Sequence, residues 1–116
     1  MSQKKTVKKI NFVIEPSTLI LQLKRYEYDI DAGKSIKIHS DIKCPETLIM
    51  PNGSTYSLSS IINHIGDSPS EGHYNEMIFD PPNDSYVLVD DLDIAYDVKN
   101  ETSKLCYIVF YTKDSQ

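Results

Sequence analysis

Residues 17–28 read STLILQLKRYEY, and their side chains alternate with a period of two. Leu19, Leu21, Leu23 and Arg25 fall on one face; Ile20, Gln22, Lys24 and Tyr26 fall on the other. A strand turns successive side chains to opposite faces, so this pattern commits the segment to a sheet. Pro16, with no N–H to offer a ladder, marks its start. Gly33 sets a turn at 31–34, and SIKIH at 35–39 is a short strand expected to pair with the first.

The rest of the chain repeats the theme. Residues 41–50 are apolar but broken by Pro45, and Pro51-Asn52-Gly53 is a turn signal. TYSLSSIINHI, 55–65, fits a helix or a strand; alternation of Tyr56, Leu58, Ser60 and Ile62 favours the strand. Residues 66–72 are rich in Ser, Pro and Gly and read as a loop. Strands are expected at 73–79 and 86–89, joined by a hairpin loop at 80–84, and a short helical turn at 91–99. LCYIVFY, 105–111, is apolar enough for a central strand. The expected fold is mainly β, an antiparallel sheet of about six strands.

The 116 residues suffice for one domain with one core. A net charge of −5 argues against nucleic acid as a main partner. The basic cluster Lys4, Lys5, Lys8 and Lys9 reads as a solvated chain end. No apolar run reaches the length of a membrane span, and no signal-peptide stretch is visible. The expected setting is therefore intracellular, cytoplasmic or nuclear, with no membrane partner. Cys44 and Cys106 lack the spacing of a metal site or a disulfide framework, so no metal and no cofactor are expected.

Two polar residues stand out. His73 opens one strand and Asp90 closes the next, 17 residues on. A hairpin brings such ends side by side. A carboxylate beside an imidazole fixes its tautomer, here by accepting the Nδ1 hydrogen, and stabilises the imidazolium formed when Nε2 takes a proton. Gly72 before the His would leave room for a closely approaching chain. The plain alternative is that His73 and Asp90 are only the polar ends of two strands.

The neighbouring segments weigh against that alternative. LILQLKRYEYD (19–29), IKCPETL (42–48), YSLSSIINHIGDSPSEGHY (56–74), SYVLVDD (85–91) and CYIVFY (106–111) occur in this order. Together they resemble the C-terminal part of the ubiquitin-specific protease catalytic domain, a papain-like cysteine peptidase family. The resemblance runs from about residue 7 to 111, and the whole of 1–116 is read as one partial domain. It implies the β half of a papain-like fold, which is α+β in the complete family. It implies thiol-dependent hydrolysis of the isopeptide bond at the C-terminus of ubiquitin. His73 matches the base, Asp90 the orienting carboxylate and Asp91 an auxiliary acid beside it. Asp67, Ser68, Glu71 and Gly72 match a loop near the ubiquitin tail, and Tyr74 would flank that tail. His64 matches a structural group behind the site.

There are departures. Tyr86 stands where the family usually has Trp, Val89 where it has Phe, Cys44 where it has Phe or another apolar residue, and Tyr26 replaces another Phe. The box that carries the nucleophilic Cys, like GLxNxGNTCYxNS, is not in this sequence. Cys44 precedes Pro45 and is expected to be extended; Cys106 lies in an apolar strand; both read as structural. The expectation is a His/Asp half without its nucleophile, inactive alone. Its partners would be ubiquitin or a ubiquitinated protein. A further protein would cover an apolar face built from the 19–23 and 108–110 strands. A non-catalytic ubiquitin-binding or scaffold module is the alternative.

Overall fold

A computed structural model describes residues 16–68 and 71–115. Nine strands carry it: β1 (Thr18–Gln22), β2 (Tyr26–Asp29), β3 (Lys34–Lys37), β4 (Thr47–Ile49), β5 (Thr55–Ser68), β6 (Glu71–Asp80), β7 (Ser85–Asp90), β8 (Asp93–Val98) and β9 (Cys106–Lys113). The helical content among the described residues is one 3-10 turn at Pro81–Asn83, between β6 and β7. Six strands form an antiparallel path, β1-β9-β5-β6-β7-β8; β4 adds to β5, and β2 and β3 make a separate two-stranded sheet. The mainly β, antiparallel expectation holds.

Alternation sorts the main sheet into two faces. Opposed pairs such as Leu19 with Tyr111, Ile61 with Met77, and Phe79 with Tyr86 line the core face. The segment after β3 crosses this face and adds Ile42, Cys44, Leu48 and Met50. It is tied down where Tyr111 Oη donates to the Pro45 carbonyl (2.8 Å) and Ile42 bridges Ser103. Tyr56 and Tyr111 are fully buried, each worth about 1.5–3 kcal/mol of apolar burial.

The opposite face carries Ile20, Ile62, Ile78, Val89, Ile94, Ile108 and Phe110. Ile20, Ile78 and Ile94 are exposed and the other four half-buried. The apolar face expected on the 19–23 and 108–110 strands exists there through Ile20, Ile108 and Phe110, whereas Leu19 and Val109 turn into the core. It also continues across β5 to β8.

Three sequence expectations are corrected. The predicted strand 17–28 is two strands, because Arg25 turns inward between them and takes the chain out of the main sheet. The Ser35–His39 strand consequently pairs only with the second half, β2. The 66–72 loop is strand almost to its tip, with β5 running to Ser68 and β6 starting at Glu71. The helical turn predicted at 91–99 is β8; Asp91 takes φ 53° and closes a tight turn that returns the chain beside β7.

Candidate active site

His73 lies near the start of β6 and Asp90 ends β7. The β6–β7 ladder runs from Asp80 opposite Ser85 to Glu76 opposite Val89, which carries both residues to one end of the sheet. There His73 Nε2 contacts Asp90 Oδ1 directly. The side chains are 42% and 37% exposed, so both are open to solvent.

The atoms differ from the sequence expectation. That expectation gave the Nδ1 hydrogen to the carboxylate; the structure gives it Nε2. Continuing the register puts Asn75, not His73, opposite Asp90. The imidazole therefore reaches diagonally along the sheet, and its outer nitrogen meets the carboxylate. An ionised carboxylate only accepts, so Nε2 carries the hydrogen and Nδ1 is the nitrogen left to take a proton.

Electrostatics agree with a tight pair. The Asp90 hydrogen bond and then its charge raise the His73 pKa above its usual value, with Asp91 adding to the effect and desolvation opposing it. The His73 hydrogen bond lowers that of Asp90, helped by the charge of His73 and a hydrogen bond from Asn75. A raised His stabilises the fold below its unfolded pKa and loses that contribution as pH climbs through the raised one. A lowered Asp stabilises above its unfolded pKa and loses that contribution as pH falls through the lowered one. The pair therefore contributes most between the usual Asp and His values, 3.8 and 6.5.

Two residues that sequence reasoning missed support the pair. Asn63 Nδ2 donates to Asn75 Oδ1 at 2.8 Å, which leaves the Asn75 amide to donate to Asp90. Asn63 and Asn75 are directly opposed across β5 and β6. The available signal was spacing: Asn75 is two residues after His73 and shares its face. Asp91 sits beside the pair at the turn. Ligand atoms of His73, Asp90 and Asp91 lie within 4.8 Å of one another, close enough to share a cation, although exposed acids commonly stand so without one.

The other predicted residues divide. Tyr74 follows His73 in the strand and so points to the opposite face. Its ring leans on His64, with centroids 4.8 Å apart. His64 is buried, holds Tyr26 Oη through Nδ1 at 2.8 Å, and leaves its buried Nε2 without a hydrogen-bond partner. Gly72 has φ +143°, and a Cβ there would stand 2.5 Å from the Ile65 carbonyl oxygen and 2.6 Å from His64 Nε2. The room at Gly72 is thus taken by the protein's own β5. Ser68 pairs with Glu71 at the hairpin end, and Asp67 lies in β5 just before it. Lys37 Nζ donates to the carbonyls of His64 (3.1 Å) and Gly66 (2.6 Å), pinning the β2–β3 sheet to this hairpin. Both cysteines are buried, and β5 separates the strand of Cys106 from that of His73.

The β6–β7 hairpin of this antiparallel sheet thus ends in an exposed imidazole paired with a carboxylate. The family model described as ubiquitin carboxyl-terminal hydrolase matches residues 2–111. The chain belongs to that family. It is 33% identical over 111 residues to ubiquitin carboxyl-terminal hydrolase 48 of Rattus norvegicus, covering 90% of this chain and 10% of that protein. It is 29% identical over 104 residues to ubiquitin hydrolase B of Dictyostelium discoideum, covering 83% and 22% respectively. Among solved structures, a chain of the SAGA Ubp8/Sgf11/Sus1/Sgf73 DUB module superposes with a TM-score of 0.72 at 27% identity, covering 86% of this chain and 24% of that one. The chain thus spans a quarter or less of these relatives' length.

Proposed function

We propose that these residues form the base-and-orienter half of a thiol-dependent ubiquitin hydrolase site. The observation that carries this reading is the Nε2–Asp90 contact, which leaves His73 Nδ1 bare at an exposed sheet end. His73 would take the proton of a cysteine thiol through Nδ1. Asp90 would hold the ring and stabilise the imidazolium, and Asn75 would hold Asp90. The thiolate would attack the carbonyl of the isopeptide bond after the last glycine of ubiquitin. Neither thiol of these 116 residues fits the role, since both are buried in the core. The nucleophile must come from other sequence, and this chain alone is expected not to turn over substrate. That same burial favours a second reading, a non-catalytic module that grips ubiquitin through the residues leading to Gly72 and His73 and through the 23–28 segment, LKRYEY.

The test is incubation of the folded chain with a ubiquitin probe bearing a C-terminal thiol-reactive group. No covalent adduct is expected, with or without Cys44→Ser and Cys106→Ser. An adduct abolished by one of those changes would overturn the assignment of both cysteines. Titration of isotope-labelled ubiquitin then separates the readings. Binding without labelling supports the module; no shift at millimolar chain removes it.

A further inference from the structure

We infer that Cys44 and Cys106 form a redox-responsive pair beneath Arg25, in which Cys106 is held as thiolate and a peroxide closes an internal disulfide. Neither sulfur takes part in the site described above. Arg25 is 2% exposed. Its Nε donates to the Cys106 carbonyl at 2.9 Å, its Nη1 to the carbonyls of Ile38 (3.3 Å) and Ser40 (2.6 Å), and its Nη2 to that of Ser103 (3.2 Å). These are neutral dipoles. Among the described residues no carboxylate lies within ion-pair range of the guanidinium. A buried charge without a counter-charge is costly. The remaining contact is Nη2 to Cys106 Sγ at 3.2 Å, and a thiolate there supplies the missing negative charge.

The second sulfur is at hand. Cys44 and Cys106 belong to one buried cluster, 5% and 2% exposed. Cys106 Sγ lies 3.7 Å from the carbonyl of Ile42, two residues before Cys44, and the neighbouring Cys44 and then Arg25 lower the Cys106 pKa against the opposing effect of burial. Cys44 is shifted the other way, chiefly by that same neighbour and then by burial. The guanidinium beside Cys106 marks that sulfur as the one to attack and Cys44 as the one that follows. The covering segment is held near this point by the Ile42–Ser103 bridge and by bonds from Asn100 and Tyr111 to the carbonyls of Cys44 and Pro45, and a local opening there admits a small oxidant without global unfolding.

The chemistry balances with hydrogen peroxide as oxidant. The Cys106 thiolate attacks one peroxide oxygen, the O–O bond breaks, and hydroxide leaves to be protonated to water. Cys106 is now a sulfenic acid. Cys44 loses its proton and attacks the Cys106 sulfur, forming S–S and expelling the sulfenic oxygen as a second water. Two thiols are oxidised and one peroxide is reduced.

The experiment treats the full chain with hydrogen peroxide under native conditions, followed by intact mass, thiol counting and a non-reducing peptide map. The expected result is a loss of two hydrogens, a fall in free thiols from two to zero, a linked Cys44–Cys106 peptide, and full reversal by dithiothreitol. Cys44→Ser should stop at a Cys106 sulfenic acid that dimedone traps. Arg25→Lys, if folded, should slow the reaction. Two free thiols persisting at peroxide levels that consume free cysteine would overturn the inference. So would a Cys44→Ser protein whose Cys106 stays unlabelled, or disulfide formation no faster than global unfolding.

Discussion

Replacing Arg25 with Ala is expected to remove about 3–5 kcal/mol of folding stability. The change strips a donor from four carbonyls, those of Ile38, Ser40, Ser103 and Cys106, of which that of Ser103 keeps the Ile42 N–H. It also empties the space of one of the largest fully buried side chains in the protein. A chain of this size has a total stability of roughly 5–15 kcal/mol, so the loss consumes a large fraction of it. Arg25 also joins the β1–β2 connection to the start of β9 and to the segment that leaves β3. Its removal should therefore loosen both sheets together. Lys at this position can reach fewer of the carbonyls and should cost less than Ala. Urea unfolding followed by circular dichroism reads the difference directly. A loss below about 1 kcal/mol for the Ala variant, in the range of an ordinary surface change, would contradict the role assigned to Arg25.

The second large effect is expected at Gly72. Any side chain there meets backbone on one side and the buried His64 ring on the other, at 2.5 and 2.6 Å. Neither neighbour is the loose end of a flexible chain. The backbone φ of +143° adds about 1–3 kcal/mol of strain for a residue with a Cβ. Gly72→Ala should therefore force β5 and β6 apart at the hairpin end. It should weaken the Asn63–Asn75 bond and separate His73 from Asp90. Gly33 is the control, because its φ of +66° falls in a turn where an added methyl group would meet nothing within 4 Å. Hydrogen exchange should show lost protection confined to the β5–β6 end in Gly72→Ala and none there in Gly33→Ala. Equal protection in both variants would contradict the packing described.

Much of the fold is legible in the sequence because strands write their period into it. β5, β6, β7 and β9 have clean alternation or continuous apolar runs, and each lies close to its expected place. The misses fall where tertiary contacts outweigh local pattern. Arg25 alternates correctly with Leu19, Leu21 and Leu23, yet its guanidinium needs partners from two distant segments, 38–40 and 103–106, and meeting them breaks the strand. Ser, Pro and Gly between 66 and 72 suggest a loop, but long-range pairing extends both strands into it. Residues 93–98, DIAYDV, have five exposed side chains and take strand form by pairing with β7, which no local signal announces. The His73–Asp90 pair is visible from hairpin spacing. The nitrogen involved is not, because it depends on the diagonal offset of the two residues. Asn63 and Asn75 escape notice because ordinary polar residues acquire a role only once the register is known.

The role proposed for His73, a preoriented base, requires an Nδ1 that is free. Long-range nitrogen–proton correlation spectra of histidine-labelled protein, recorded across a pH titration, test it most directly. The expected result is a His73 midpoint above the usual 6.5 and, above that midpoint, a neutral ring with hydrogen on Nε2 and a bare Nδ1. Asp90→Asn should bring the midpoint down. A His73 that titrates at or below 6.5, holds its hydrogen on Nδ1, and ignores Asp90→Asn would contradict the claim.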